Sequence, residues 1–259
     1  MALSDTELDE LVDRIYEGYA EKTEIAPLTD DYDVTTEEAY EIQGRVFDRI
    51  NESGRVLGHK LGLVSEAKQE QLGIPEPIFA PIVAETLLEN EPIRLDDMIA
   101  PRIEAEIGLV LDETLEAPVT ATDVLAATRG VVPVVEILES RFEDWRIPSA
   151  QDVIADLTSA GGVYVGESLS DVTDVDVQME SIALSVNGEI RSTGVGADIM
   201  GHPARAVAWL ANRLAEDDER LEAGELLMTG GIGAAIDVEP GDVYHVQFAN
   251  IGTLDIRAE

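Results

Sequence analysis

The hydrophobic pattern changes near residue 55, and this change constrains the fold more than any other feature. Before it, apolar residues recur at intervals of three and four from Ser4 to Ala20 and from Ala39 to Ile50, which predicts two helices. Ser4 and Glu7 form a capping box, and Thr35 or Thr36 caps the second helix. After residue 55 the chain consists of short apolar or alternating runs separated by Gly, Pro, Asn or Asp, which predict strands. These runs are VLGHKLGLVS, PIFAPIVAETLL, IEAEIGLVL, VVPVVEIL, GGVYVG, SIALSVNGEI, ELLMTGG and VYHVQF.

Two further helices are predicted among these strands, at Thr122–Thr128 and at His202–Leu214, where Pro203 occupies the first turn. The Asn187–Gly188 dipeptide predicts a hairpin. No G-x-G-x-x-G motif follows a strand and no strand-helix alternation is sustained, which argues against a Rossmann or barrel fold. The sequence therefore predicts an α+β fold. We expect residues 1–55 to form an N-terminal helical segment and residues 56–259 a catalytic mixed-β domain, together one compact unit.

The chain is strongly acidic: 54 Asp and Glu against 17 Lys and Arg give a net charge of -37, yet 45% of the residues are hydrophobic. That apolar content suffices for one sizeable core. The charge excludes nucleic acid and anionic membranes as partners, because both require clustered basic residues. Since salt screens a self-repelling surface, we hypothesise a halophilic protein adapted to a salt-rich cytoplasm; the alternative is an ordinary acidic enzyme.

Three observations bear on localisation. The longest stretch without a charged residue is Val243–Leu254, 12 residues, whereas a spanning helix needs about 20. Met1–Glu10 is acidic and polar, which predicts no signal peptide. The sequence has no cysteine, which agrees with a reducing compartment. We therefore expect a cytoplasmic protein.

Three glutamates are candidate metal ligands. In the strand IEAEIGLVL, the period of two places Glu104 and Glu106 on one face, although a solvent-exposed face would produce the same pattern. Glu136 lies in VVPVVEIL, the pattern of a strand buried on both faces, so its carboxylate needs a cation, a proton or hydrogen bonds. Three converging carboxylates with substrate and water oxygens favour Mg²⁺ or Mn²⁺.

Lys60 is the candidate catalytic residue. It lies in a glycine-punctuated apolar run of a chain with only three lysines. The charges of three carboxylates and a divalent ion sum to -1, and the charge of one ammonium brings the total to zero. A buried lysine can also act as a proton donor. The alternative is a lysine that snorkels from a strand end.

Other candidate motifs are weaker. His59, His202 and His245 lack zinc-ligand spacing, and His202 is expected to help start a helix. No G-x-S-x-G elbow supports acyl-enzyme chemistry. The turn after ELLM, which includes Thr229 and Gly230, offers backbone N–H groups for a carboxylate but lacks the lysine of a phosphate loop.

An ordered series of motifs resembles the fumarylacetoacetate hydrolase superfamily, in the branch that contains 4-oxalocrotonate decarboxylase and 2-keto-4-pentenoate hydratase. The motifs are GHKLGLVS, PRIEAEIGLVL, DVLAATRGVVPVVEILESRFEDW, DVIADLTSAGG, GHPARAVAWLANRL and LLMTGGIGAAIDVEPGD. The resemblance implies a mixed β-sheet roll or sandwich with surrounding helices, and a homo-oligomer. It also implies metal ligation by Glu104, Glu106 and Glu136 and an active-site role for Lys60. Glu139 falls where the family is variable and is left out of the site.

One position favours the decarboxylase within this branch. The hydratases resemble one another in having Pro-Asp-Phe-Gly where this chain has Pro77-Ile78-Phe79-Ala80, and Ile78 cannot move a proton. Leu157-Thr158-Ser159 replaces the family's usual Asn-Ala-Ser, so contacts to the substrate differ; Ser159, Thr229 and Gly230 are the candidate substrate-binding residues. The resemblance implies decarboxylation of 2-oxohex-3-enedioate, a small 2-oxo acid, and a possible hydratase partner. The alternatives are the hydratase itself and a non-catalytic scaffold.

Overall fold

The structure, a computed structural model, describes residues 2–259 apart from the side chain of residue 71. Met1, at which the predicted N-terminal segment begins, lies outside the described residues. The protein has a mixed α+β fold with a curled sheet, as the sequence predicts. The predicted boundary at residue 55 stays a prediction.

The four predicted helices all form, and their caps explain where they begin. They are α1 (Asp5–Glu21), α2 (Thr36–Ile50), α4 (Ala121–Ala127) and α6 (Pro203–Leu214). The Ser4 hydroxyl accepts from the Glu7 N–H, and Thr35 rather than Thr36 caps α2 through Glu38. His202 caps α6, because its ring nitrogen accepts from the Ala204 N–H at 3.0 Å. Capping side chains satisfy the free backbone donors of a first turn.

Two short helices were not predicted, α3 (Glu66–Leu72) and α5 (Ala150–Ala155). The α3 segment is too polar to show an apolar period, and α5 spans fewer than two turns. Both begin at a serine cap, Ser65 and Ser149 respectively.

The larger sheet carries the candidate site. Its seven strands are β1 (Val56–Gly62), β2 (Ile78–Val83), β3 (Arg102–Leu111), β4 (Thr128–Leu138), β5 (Ala160–Val165), β8 (Leu226–Met228) and β9 (Ile232–Asp237). They follow the order β2-β1-β8-β3-β4-β5, and β9 pairs with the first residues of β3. All pairs are antiparallel except β1 with β8.

The smaller sheet is antiparallel, in the order β11-β10-β6-β7. Its strands are β6 (Ser181–Val186), β7 (Glu189–Val195), β10 (Val243–Phe248) and β11 (Thr253–Arg257). The predicted hairpin joins β6 to β7, and both Asn187 and Gly188 have the positive φ angles that such a turn requires. Strands β9 and β11 are not among the runs predicted from the sequence.

Two apolar clusters fix these elements around the site. The main cluster joins both sheets and α6 through residues such as Ile107, Leu184 and Val207. A second cluster packs α1 and α2 onto α5 and the start of β2. The buried amide of Gln43 donates to Phe79 O at 3.0 Å and to Ile154 O at 2.7 Å, which ties α2 to both neighbours. No helix among the described residues is long and apolar enough to cross a membrane.

Candidate active site

The three candidate glutamates converge on one face of the larger sheet. Glu104 and Glu106 project from β3, and Glu104 lies directly opposite Glu136 of β4 in the antiparallel register. One carboxylate oxygen from each residue lies within 4.8 Å of the others, and all three residues are buried. The alternative of a solvent-exposed acidic face is therefore wrong. Among the described residues, no other group of this kind is found.

The electrostatics of this cluster call for a cation. Burial raises the pKa of Glu106 well above its usual value, and repulsion from Glu136 and Glu104 raises it further. Burial also raises the pKa of Glu136, against the opposing effect of Lys60. Glu106 Oε2 accepts from the Gly230 N–H at 2.9 Å, but its Oε1 has no hydrogen-bond partner within the described part of the chain. An all-oxygen donor set with an unsatisfied buried oxygen fits a hard divalent ion.

Lys60 lies beside the glutamates rather than at the protein surface. It is only 2% exposed and lies inside β1, where it pairs with Met228 of β8, so the snorkelling alternative is wrong. Its Nζ forms an ion pair with Glu136 and donates to Thr158 O at 2.6 Å. The ammonium is thus held between a carboxylate of the cluster and a backbone carbonyl of the cavity wall. It can balance charge there or deliver a proton into the cavity.

The carbonyl that holds Lys60 belongs to an unusual turn. Leu157, Thr158 and Ser159 have φ angles of 51, 54 and 56°. Three consecutive non-glycine residues in this left-handed region cost about 1–2 kcal/mol each. Gly62 of β1 permits the close approach of this turn, because a Cβ there would lie 2.7 Å from Thr158 Cγ2. The surrounding structure must therefore hold the turn in place.

A buried network of charges anchors this turn, and sequence reasoning missed it. Arg141 is fully buried; its guanidinium forms an ion pair with Asp156 and donates to Asp156 O and Ala160 O, each at 2.8 Å. Glu139 lies 3.6 Å from Arg141 Nη1 and 3.2 Å from Lys22 Nζ. Glu139 is thus engaged away from the glutamate cluster. Burial raises the pKa of Asp156 to about 6 against the pull of Arg141.

Glu104, Glu136 and Lys60 line a cavity of about 270 Å³. Ser159 and Ile78 line it, as does Gly231. Thr229 does not, and its hydroxyl donates to Ile107 O at 2.8 Å. Gly230 contacts Glu106 instead of the cavity. Of these three candidate substrate-binding residues, Ser159 is the one that lines the cavity, and its contact with substrate stays a prediction.

Gly231 is a functional position that sequence reasoning did not single out. A Cβ at this position would lie 2.2 Å from the Glu104 carboxyl carbon. Only glycine therefore allows the turn before β9 to pass beside Glu104. The signal was present in the Gly230-Gly231 pair, but the sequence does not show what each glycine approaches.

Each of the three histidines contacts a different part of the described chain. His59 Nδ1 lies 3.0 Å from Glu225, and His245 Nδ1 lies 2.7 Å from Asp255. Burial lowers the pKa of His202, which serves as the cap of α6.

The family model of the fumarylacetoacetate (FAA) hydrolase C-terminal region matches residues 56–258. The chain belongs to the fumarylacetoacetate hydrolase family. It is 36% identical over 251 residues to a 4-oxalocrotonate decarboxylase of Pseudomonas sp. (strain CF600), covering 95% of each chain. It is 35% identical over 250 residues to a 2-hydroxyhexa-2,4-dienoate hydratase of Comamonas testosteroni, covering 94% of each. These family members are lyases, the class expected from the sequence.

A solved fumarylacetoacetate hydrolase family structure matches nearly the whole fold. It is the 4-oxalocrotonate decarboxylase of Pseudomonas putida G7, complexed with magnesium and adipate. The TM-score is 0.95 at 32% identity, and the match covers 100% of this chain and 99% of the other. The divalent cation in that complex agrees with the cofactor expected from the three glutamates.

Proposed function

We propose that the protein is a divalent-metal-dependent lyase that decarboxylates 2-oxohex-3-enedioate to 2-hydroxypenta-2,4-dienoate. The observation that carries the choice of reaction is Ile78, which is 1% exposed and forms part of the cavity wall. Where the hydratases are expected to carry an aspartate, this wall is apolar. Both activities occur among relatives of similar identity, so the chemistry of the cavity supports the choice.

Glu104, Glu106 and Glu136 would hold Mg²⁺ or Mn²⁺ in this proposal. The proximity of their oxygens and the unpartnered Oε1 of Glu106 support this role. When bound, the ion supplies Lewis-acid stabilisation of the negative charge that develops on the substrate's 2-keto oxygen.

Lys60 would supply the proton that completes the reaction. The bond from C5 to the far carboxylate breaks, and its electron pair moves through the conjugated system to the 2-keto oxygen as CO₂ leaves. That oxygen then takes one proton to give the 2-hydroxy dienoate. Thr158 O and Glu136 hold the Lys60 ammonium at the cavity, so the proton comes from a fixed position.

The charged residues that line the cavity support decarboxylation over hydration of the dienoate. Adding water across a double bond needs a base to activate the water as well as a proton donor. Among the described residues that line the cavity, Glu104 and Glu136 are the carboxylates, and both belong to the metal cluster. The remaining charged lining residues are cations, and no histidine is among them.

The test follows both reactions with one Mg²⁺-loaded preparation. We expect CO₂ release from 2-oxohex-3-enedioate, no loss of the absorbance of 2-hydroxypenta-2,4-dienoate, and loss of turnover with EDTA. Loss of the dienoate absorbance without CO₂ release would establish the hydratase instead. Absence of both reactions together with absence of Mg²⁺ and Mn²⁺ binding by calorimetry in high salt would favour the scaffold alternative.

Assembly and cellular setting are part of the proposal. We propose a cytoplasmic homo-oligomer that passes its product to a hydratase, because that product is the substrate of a hydratase. Light scattering tests the oligomeric state, and co-purification with a hydratase tests the partner.

A further inference from the structure

We infer that Arg102 binds the distal carboxylate of the substrate and makes the site selective for dicarboxylic over monocarboxylic 2-oxo acids. This inference rests on the proposed function, because it takes the glutamate cluster as the place where the 2-oxo acid end of the substrate is bound. It assigns a separate residue to the opposite end.

Arg102 is aligned with the cluster by strand geometry. It lies two residues before Glu104 on β3, so both side chains project from the same face, and both line the cavity. The register across β4 agrees, because Arg102 pairs with Leu138 where Glu104 pairs with Glu136. The strand rise separates the Cα atoms of Arg102 and Glu104 by about 7 Å.

That separation suits an extended six-carbon diacid. Four carbon atoms separate its two carboxylates, so a molecule whose head lies at the glutamates brings its far end towards Arg102. The wall of the same cavity also contains apolar side chains, among them Leu63, Ile78 and Ile147. An apolar middle with a charged group at each end matches the polarity of a dicarboxylate.

The Arg102 guanidinium is held in place before any ligand binds. Its Cζ lies 4.2 Å from the ring centroid of Trp145, and Trp145 Nε1 in turn donates to Ala100 O at 2.8 Å. Arg102 Nε donates to Asp237 Oδ1 at 2.8 Å. Within the described part of the chain, neither Nη group has a hydrogen-bond partner. Both can therefore donate to a carboxylate, the geometry that guanidinium provides.

A weak contact between Arg102 and the distal carboxylate suits a group that must leave as CO₂. Arg102 is 36% exposed and already paired with Asp237, so its hold on the substrate is weakened by water and by a competing anion. It orients the far carboxylate without binding it tightly. After CO₂ has left, the product no longer has a group for Arg102, which favours product release.

Lys68 is the competing cation at the cavity. Its Nζ lies 3.9 Å from Glu104 Oε2, so it acts on the cluster end of the cavity. Its loss should therefore alter the binding of every ligand that reaches the cluster, whereas loss of Arg102 should affect only ligands with a second carboxylate.

The experiment measures equilibrium binding to the Mg²⁺-loaded full chain at one fixed salt concentration. The probes are adipate, a six-carbon diacid, and pentanoate, which lacks the second carboxylate. Arg102→Gln is compared with Lys68→Gln and with Arg220→Gln, which removes the same charge from an exposed position outside the cavity wall. Each variant is also titrated with Mg²⁺ to check the metal site.

We expect wild type to prefer adipate by about tenfold, the low end for a hydrogen bond to a charged group. Arg102→Gln should lose this preference while its affinities for pentanoate and Mg²⁺ are unchanged; Arg220→Gln should keep it. The inference is overturned if wild type shows no preference, if Arg102→Gln retains it, or if Lys68→Gln alone abolishes it. This binding experiment is independent of the CO₂-release assay that tests the proposed function. A preference for adipate in a protein that releases no CO₂ would refute only the proposed function. CO₂ release by a protein without this preference would refute only this inference.

Discussion

Replacing Gly231 with alanine tests whether Glu104 must occupy its observed position. An added Cβ would lie 2.2 Å from both Cδ and Oε2 of Glu104. Non-bonded carbon atoms pack at about 3.5 Å or more, so the carboxylate would have to move by about 1.3 Å. Because this carboxylate ends a flexible side chain, we expect the side chain rather than the backbone to move.

The displacement is large compared with the tolerance of a metal site. Metal–ligand distances vary by about 0.2 Å, so Glu104 would leave the ligand set. We expect the affinity for Mn²⁺ to fall by about 10–100-fold, equivalent to about 1.4–2.8 kcal/mol. The free energy of unfolding of the metal-free protein should change by less than about 1 kcal/mol, since no core side chain is removed.

Calorimetric titration with Mn²⁺ and urea unfolding without metal separate these two effects. Gly44→Ala is the matched control, because no atom lies within 4 Å of its added Cβ and the position lies in α2. The control should bind Mn²⁺ as wild type does and be slightly more stable, by up to about 1 kcal/mol. Wild-type Mn²⁺ affinity in Gly231→Ala would refute the assignment of Glu104 as a ligand.

Three further outcomes are expected. Glu106→Gln should abolish turnover and reduce the affinity for Mn²⁺ by roughly 100-fold or more, because a charged ligand is lost. Without metal, the variant should unfold at a higher urea concentration than wild type, because burial disfavours the charge of Glu106. Full activity would remove Glu106 from the site. The pKa of Asp156 is raised from 3.8 to about 6, so the folded state retains this proton longer, and stability falls as pH rises through that window. Relative to Asp156→Asn, wild type should lose about 2 kcal/mol between pH 4 and 6 in urea unfolding, and a constant difference would contradict this. The melting temperature should rise between low salt and 2 M KCl, because molar salt shortens the Debye length to about 3 Å; no rise would count against the halophilic hypothesis.

The features predictable from sequence were those with a period or a local signal. The caps at Ser4 and Thr35, the Asn187–Gly188 turn and the doubly buried strand around Glu136 each express a rule that acts over a few residues. Lys60 was recognised because lysine is scarce in this chain. Glu136, its ion-pair partner, was recognised separately, from the apolar residues on both sides of it.

The features missed depend on contacts between distant segments. Glu139 and Asp156 carry no sequence signal in a chain with 54 acidic residues, although the fold pairs both with a buried arginine. The sequence around Thr158 does not predict three consecutive residues in the left-handed backbone conformation, because none of the three is glycine. Gly231 matters through what it approaches, which only the packing of β9 against β3 determines.

The salt bridge from Lys22 to Glu139 links α1 to the part of the chain that matches the family model. A fragment limited to residues 56–258 would lack Lys22, leaving two buried carboxylates to share Arg141. It would also lose the backbone hydrogen bond from Ile25 N to Arg141 O at 2.7 Å and uncover the apolar side of α5. We therefore expect the stretch that matches the family model to be less stable alone than in the full chain. Gene fusions or transplants of the catalytic region should carry the N-terminal helices with it.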